Sequence, residues 1–365
     1  MLSAVVGAGI RRVVQEMREA VYLSTGADLT RPQTIGVVLT ERCNYRCLSC
    51  ACWRKQDDAD EMSLEQWIAA FTDVREFVGD FSVQFGGGEP FVFKPFLDLL
   101  AWCRTTGISW SMITNGSAFS PKNAQRVADA QPIAVNISVD GATAAVHDHS
   151  RGVAGSLQTI THGIETLKAA RRRSGASFAI RIKPTVHRAN FREMPALVRW
   201  AEAIGATSVD FSPVRAWTPE VETQLWLGRA DEEDLKAVME TLIAMKRAGA
   251  PIETEAPRIS SWDAHFRGES VAPSLGPCRV GLRDYCILPN GDVRSCWFYP
   301  VLGNVKNASA RAIWRDAATQ KLRERMTHCP HFGETKCASS CLAHRTLAED
   351  VRRVVLMVRS GLDAH

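Results

Sequence analysis

The chain has 365 residues, 45% hydrophobic and 23% charged, with a formal net charge of +4. That length allows one large domain and a smaller one, and the balance is that of an ordinary globular protein. No apolar run reaches the ~18 residues of a membrane span, the N-terminal apolar stretch precedes its arginines in the reverse order of a secretory signal, and the mild, scattered charge argues against nucleic acid.

Residues 1–32 read as a helical extension, with Ile10, Val13, Val14, Met17 and Val21 on one helical face. That face is expected to pack on the main domain. β and α patterns then alternate over 33–249. "TIGVVLT" (34–40) reads as a strand, and Ser63 with Gln66 forms a capping box ahead of the apolar positions Trp67, Phe71 and Val74. "FSVQF" (81–85), an apolar helix from Phe96 and "ISWSMIT" (108–114) follow, and Ser120-Pro121 supplies the next N-terminal cap. Strand "IAVNISV" (133–139), a helix from Ser156 to Arg172, strand "SFAIRIK" (177–183), a helix from Asn190 to Ile204 and strand "TSVDFS" (207–212) continue the series. A helix around Leu235 to Leu242 closes it at Gly249. Arg171, Arg172 and Arg173 sit at a helix end, where cations suit the dipole.

Six β–α units in succession imply a parallel sheet in an α/β fold, and six rather than eight implies a partial barrel. Residues 250–276 lose the alternation and read as a linker or covering loop. Residues 277–345 are rich in cysteine and poor in apolar periodicity, so they are expected to fold around metal. Residues 346–365 return to an amphipathic helix.

Ten of the eleven cysteines fall in two clusters, with Cys103 apart. The first is Cys43, Cys47, Cys50 and Cys52; the second is Cys278, Cys286, Cys296, Cys329, Cys337 and Cys341. A reducing cytoplasm disfavours disulfides, so clustering points to metal. Cys43, Cys47 and Cys50 follow the first strand, at the C-terminal mouth of a parallel barrel, where sites in such folds gather. Three thiolates on a cubane leave one iron open, as three protein ligands do in a catalytic zinc site. "GGGEP" (86–90) ends the second strand at the same mouth, where glycines allow close backbone approach and Glu89 offers an acceptor for an amine. Asn136, Ser138 and Asp140 share one face of the fourth strand, Arg181 and Lys183 one face of the fifth, and Asp210 and Ser212 one face of the sixth. A strand covered on both sides carries such a face only where it lines a wet cavity.

Cys43-x3-Cys47-x2-Cys50 with Gly87-Gly88-Glu89-Pro90 resembles the radical S-adenosylmethionine (SAM) enzymes. The resemblance implies a [4Fe–4S] cluster on the three cysteines with SAM chelating the open iron. It further implies reductive cleavage of SAM to methionine and a 5′-deoxyadenosyl radical, hydrogen abstraction from a C–H bond, and an electron donor such as flavodoxin or ferredoxin. Ser49 stands where the family often carries an aromatic residue, with Tyr45 or Trp53 as possible substitutes against the adenine. Ser138 and Asp140 are the candidates for the SAM ribose, Arg151 or Arg181 for its carboxylate, and Cys52 is a bystander. Cys278-x12-Gly291-x4-Cys296, with Cys286 between and Cys337-x3-Cys341 after, resembles the SPASM extension of that family. By that resemblance Cys278, Cys286, Cys296 and Cys341 hold one auxiliary cluster. His328 and His331 occupy two positions where the family has cysteines, so only Cys329 and Cys337 remain for a second cluster, which is either absent or takes a histidine or another non-cysteine ligand. "LPNGDV" (288–293) reads as a hairpin that brings Cys286 and Cys296 together.

The expected function is therefore radical chemistry on a C–H bond, within a small polar metabolite. That substrate class is preferred because only about thirty residues precede the first strand, fewer than an independent leader-binding domain needs. A peptide maturase and a non-catalytic zinc and iron–sulfur protein are the alternatives. The segment 213–230 with Trp262 reads either as a lid or as core and surface tryptophans. No catalytic acid, base or hydrogen donor is assigned.

Overall fold

The computed structural model describes residues 2–55, 57–269, 278–330 and 337, with side chains from residue 13 onward. After helix α1 (Leu2–Thr25), strand β1 (Thr34–Thr40) leads through the first cysteine loop to α2 (Leu64–Val78). The Ser63 capping box forms as the sequence predicts: Ser63 Oγ accepts from the Gln66 amide at 3.3 Å and Gln66 Oε1 accepts from the Ser63 amide at 2.8 Å. The apolar stripe this helix buries centres on Phe71, whose ring meets Phe81, Phe85 and Trp102 with centroids 6.4, 6.1 and 6.3 Å away.

The alternation then runs β2 (Ser82–Gly87), α3 (Phe96–Thr106), β3 (Ser109–Thr114), α4 (Pro121–Asp129) and β4 (Ala134–Ile137). It continues through α5 (Ala144–Arg151), α6 (Ser156–Arg173), β5 (Ala179–Ile182), the short β6 (Thr185–Val186), α7 (Met194–Ala203) and β7 (Ser208–Val209). β1, β2, β3, β4, β5 and β7 pair in parallel in that order. Val37, Phe85, Met112, Val135 and Ile180 lie in one register line and are buried beneath the helices. The intervening positions, among them Gly36, Gln84, Ile113, Asn136 and Arg181, face the lumen, as a period of two requires.

The sixth predicted strand divides. Asp210 still donates its amide to Ile182 O at 2.9 Å, but the Phe211 amide turns to Thr254 Oγ1 at 2.7 Å. Past that break β8 (Ser212–Pro213) pairs with β6 in a separate two-stranded sheet. The helices α8 (Pro219–Gln224) and α9 (Glu232–Arg247) follow. The expected loop after Gly249 carries α10 (Ala256–Ser260) and α11 (Trp262–Phe266) in its described part. Trp262 is 1% exposed and meets Phe211 edge-on at 5.6 Å, so it is core and not lid.

The cysteine-rich module joins the same sheet. After α12 (Val280–Arg283), strand β9 (Asp284–Ile287) runs parallel to the free edge of β1, with Gly36 opposite Cys286. The hairpin at Leu288–Asp292 forms, β10 (Asp292–Arg294) returns antiparallel, and β11 (Gly303–Asn304) closes the order β11-β10-β9-β1-β2-β3-β4-β5-β7. The module is richer in core than its periodicity implies. Tyr285, Ile287, Val293 and, from α13 (Ala310–Arg315), Trp314 are fully buried in a core continuous with the barrel's. α14 (Ala317–Thr327) ends beside Cys329. Cys341 and the predicted C-terminal helix lie outside the described residues.

α1 departs from expectation. Val13 and Met17, expected to face the core, are 52% and 64% exposed, whereas Glu19 is fully buried. Its carboxylate accepts from Arg283 Nε at 2.6 Å and Arg279 Nη1 at 2.8 Å, so the helix docks on the cysteine-rich module through charge. Apolar periodicity identifies a face, but a buried carboxylate with two arginines supplied by another element overrides it. Among the described residues, no helix is long and apolar enough to cross a membrane.

Candidate active site and cluster-binding cavities

The loop after β1 is held from two sides. The amides of Arg46 and Leu48 donate to the carbonyls of Arg151 and Ser150 at 3.2 and 3.0 Å, so the end of α5 fixes the stretch that carries Cys47. On the other side, the Gly88 amide donates to Thr40 O at 2.8 Å and the Glu89 amide to Arg42 O at 2.9 Å. This contact is what the glycines permit. A Cβ at Gly87, where φ is +113°, would stand 2.4 Å from Thr40 O, and one at Gly88 would stand 2.0 Å from Arg42 O. The sequence reading assigned this close approach to a ligand; here backbone meets backbone.

Cys43, Cys47, Cys50, Gly87, Gly88, Ser138 and Arg151 line one cavity of about 300 Å³ at the barrel mouth. Tyr45, 3% exposed, also lines it. Cys52 reaches the same cavity, where its thiol hydrogen-bonds Cys50 and pulls that thiol down to about 6. Burial pushes the Cys43 thiol up to about 11 and raises that of Cys47. Thiols raised in this way lose their protons to a metal that supplies compensating positive charge. Three thiols on one loop, with an open side toward the cavity and a cation at hand, fit a cubane that leaves one iron for a small ligand.

That cation is Arg151. Its Nη1 lies 3.7 Å from Cys47 Sγ and its Nη2 2.9 Å from the Asp140 carboxylate. Burial opposes its charge, but Asp140 and Cys47 outweigh burial and hold the guanidinium protonated. Asp140 itself is 1% exposed and also accepts from the Thr185 amide at 2.8 Å, so it orients Arg151 and lies behind the cavity wall. Arg181 is likewise taken up inside the lumen, 2.7 Å from Glu253. Lys183 pairs with Asp210, which Thr254 also reaches at 3.0 Å. Glu89 accepts from the Asn115 amide at 2.7 Å, from Thr114 Oγ1 at 2.8 Å and from the Phe91 amide at 3.3 Å. It is 1% exposed, and burial raises its carboxyl to about 7. Of the residues expected to touch SAM, the structure thus brings Gly87, Gly88, Ser138 and Arg151 to the cavity, and gives Glu89, Asp140 and Arg181 protein partners.

Sequence reasoning missed the histidines behind this wall. His147 Nδ1 accepts from the Asp140 amide at 3.1 Å and His187 Nε2 lies 3.0 Å from Ser150 Oγ. Burial lowers both to about 4, so they pack as neutral rings. "HDHSRG" offered a signal in the spacing of His147 and Arg151, four residues apart on one helical face.

A second cavity of about 240 Å³ lies between β1, β2 and the cysteine-rich module. Cys278, Cys286, Cys296, Cys329 and Cys337 all line it. The two cavities share Gly87, Ile113 and Trp217 as walls. Among the described residues no three Cys, His, Asp or Glu side chains group tightly enough for a single metal ion, so the thiols border a chamber and do not close on a point.

Two family models match the chain: the radical SAM superfamily over residues 37–194 and the SPASM iron–sulfur cluster-binding domain over 278–342. The chain is 28% identical to mycofactocin maturase MftC of Mycobacterium tuberculosis over 323 residues, covering 84% of this chain and 77% of MftC. It is 24% identical to the AdoMet-dependent heme synthase of Methanosarcina barkeri (80% and 85% covered) and 24% identical to the PqqA peptide cyclase of Methylocella silvestris (86% and 84% covered). Its fold matches that of Streptococcus suis SuiB bound to the precursor peptide SuiA, with a TM-score of 0.61 at 17% identity over 80% of this chain and 66% of SuiB. The described site and these matches agree on one assignment: the chain belongs to the radical SAM enzymes that carry a SPASM domain, with a SAM-binding [4Fe–4S] cluster and auxiliary iron–sulfur binding.

Proposed function

We propose that this enzyme is a peptide maturase, which uses SAM to abstract hydrogen from a C–H bond within a polypeptide. The observation that carries the reading is the character of the surface where the two cavities meet. Trp217, Trp297 and Phe298 line the second cavity while remaining 46%, 51% and 38% exposed, and Trp217 borders both cavities. Exposed aromatic side chains grouped at a cavity mouth suit an apolar segment of chain. A small polar metabolite would instead need convergent polar groups, yet the charged lumen residues Arg181, Lys183 and Asp210 are engaged with Glu253 and with one another. The names of two relatives support the same reading, PqqA peptide cyclase and the SuiB complex with its precursor peptide. This replaces the small-metabolite expectation, which rested on the brevity of the N-terminal segment.

Cys43, Cys47 and Cys50 would hold the cluster, which together with SAM supplies the one-electron chemistry that hydrogen abstraction needs. Arg151 sets a fixed positive charge at the cavity for an anionic group of SAM. Gly87, Gly88 and Ser138 give it backbone and hydroxyl partners, and Tyr45 gives it an apolar wall. Trp217 stands between this site and the second cavity, where it would cover the reacting bond and exclude water. A flavodoxin or ferredoxin would serve as the reductant.

The test is anaerobic turnover of the reconstituted full chain with dithionite and SAM. Deuterated peptides encoded near its gene, and small metabolites from the same neighbourhood, are offered in parallel. Deuterium in 5′-deoxyadenosine from a peptide, with a matching change in peptide mass, is the expected result. Deuterium from a small metabolite and from no peptide overturns the reading.

A further inference from the structure

Two guanidinium groups border the SAM cavity, those of Arg151 and Arg215, and none of its described lining residues is an aspartate or a glutamate. The two cations stand at different places. Arg151 is turned to the cluster loop, 3.7 Å from Cys47 Sγ, with its charge balanced by Asp140 at 2.9 Å. Arg215 belongs to the other side. Its Cζ lies 5.6 Å from the ring centre of Trp217, the side chain that also borders the second cavity. A positive charge thus stands beside the ring that would cover the reacting segment of substrate.

Local structure fixes Arg215 there. The preceding residue, Val214, is 2% exposed and donates its amide to Val186 O at 2.8 Å, which carries the pairing of β6 and β8 one step further. The Val214 carbonyl accepts from His265 Nε2 at 2.9 Å. Burial, and after it the charge of Arg215, keep that imidazole below its usual value, so it stays a neutral donor. Beyond Arg215 the Trp217 amide donates back to Arg215 O at 2.8 Å, and Ala216 is buried. The chain therefore turns tightly and sets guanidinium and indole side by side. A guanidinium over an aromatic face directs the N–H groups of its edge away from the ring, and their planar fork matches the two oxygens of a carboxylate.

We propose that Arg215 is a specificity-determining residue that takes a carboxylate of the substrate, while Trp217 covers the apolar part next to it. In a peptide that carboxylate is an acidic side chain or the chain's C-terminus. The inference rests on the peptide reading for where the substrate lies. SAM carries a carboxylate as well, for which Arg151 stands ready on the cluster side, so the test must separate cofactor from substrate.

The experiment uses the full chain, with its clusters reconstituted anaerobically and SAM bound. Three short acetylated peptides are titrated by calorimetry: one ends in a free phenylalanine carboxylate, one in phenylalanyl-glutamate amide and one in phenylalanyl-glutamine amide. At least one of the two acids should bind about tenfold more tightly than the neutral glutamine peptide, the gain from one charge-assisted contact. Which acid does so distinguishes the terminal from the side-chain source. Arg215→Gln should abolish the difference, and Arg215→Lys, which keeps the charge without the fork, should reduce it. Iron content and SAM affinity should match wild type in both variants. Equal affinity of wild type for all three peptides, or an acid preference undiminished in either variant, overturns the proposal. A fall in SAM affinity of about tenfold or more in Arg215→Gln also overturns it, because Arg215 would then serve the cofactor. Should Arg215→Gln fail to fold, wild type and Arg215→Lys decide by the same criteria. Failure of the peptide reading shows separately, as deuterium transfer from a small metabolite alone; an Arg215-dependent acid preference beside that result keeps the carboxylate and discards the peptide.

Discussion

The guanidinium of Arg151 lies 2.9 Å from the Asp140 carboxylate, and the side chains are 10% and 1% exposed. This pair joins the end of α5 to the end of β4 and presents a cation to the cysteine loop. Replacing Arg151 by Ala leaves the Asp140 carboxylate buried without its counter-ion, which costs ~3–5 kcal/mol. A large fall in the urea midpoint, accompanied by loss of iron from the Cys43–Cys50 site, is expected. A midpoint within error of wild type would sink this account of the pair.

Gly88→Ala places a methyl 2.0 Å from Arg42 O, a backbone atom that cannot turn aside. Gly79→Ala meets only backbone strain, since φ there is +81° and nothing lies within 4 Å of the new carbon. The first is expected to cost ~3 kcal/mol or more and to weaken cluster retention. The second should cost ~1–2 kcal/mol and leave the iron content unchanged. Thermal unfolding with iron analysis on both variants distinguishes steric conflict from conformational strain.

Glu89 carries a pH dependence of definite sign. Its carboxyl rises from 4.5 to about 7 through burial, so the folded state holds its proton more tightly than the unfolded state. Its contribution to stability is full below about pH 4.5 and is lost as the pH rises through about 7, by an amount on the order of 3 kcal/mol. Glu89→Gln should flatten the stability profile between pH 5 and pH 8 (the titration window), as read by denaturant midpoints. A slope as steep as wild type would assign the dependence to another group.

Glu19, together with Gln15, whose Nε2 donates to Leu282 O at 3.2 Å, ties α1 to the cysteine-rich module. With its carboxylate removed, Arg283 and Arg279 lose a partner buried at 0% exposure. Glu19→Ala is expected to cost ~3 kcal/mol and to open the Cys278–Arg283 segment to protease before the barrel unfolds. Met17→Ala, on the exposed side of the same helix, should change stability by less than ~0.5 kcal/mol.

Trp297→Ala removes an exposed ring from the mouth of the second cavity. If a peptide docks there, its KM should rise about tenfold, equivalent to ~1.4 kcal/mol of lost contact. An unchanged KM would place the peptide elsewhere on the surface.

What could be read from the chain, and what could not, follows from the range of the interactions. The capping box at Ser63, the strand of Thr34–Thr40 and the three-cysteine loop are written within a few residues, and the structure returns them with small shifts at their ends. Glu89, Asp140 and Arg181 were read by chemical type as facing a ligand. Their actual partners, Asn115, Arg151 and Glu253, are 26, 11 and 72 residues away in sequence and are brought close only by the barrel. The same limit applies to α1. Its apolar period is local, whereas the arginines that bury Glu19 come from the far end of the chain. Cysteine spacing indicated an auxiliary centre; the pairing of β9 with β1 that brings Cys286 to the cavity wall is a tertiary fact.

The pairing of β9 with β1 has a mechanical consequence. β1 runs from Thr34, opposite Asp284, to Thr40, three residues before Cys43, so one ladder of main-chain bonds spans the ground between the two groups of thiols. A slip of one position along that ladder would turn Asp284 and Cys286 out of the lumen altogether. The distance between the first cysteine loop and Cys286 is therefore set by strand geometry, as on a measuring stick.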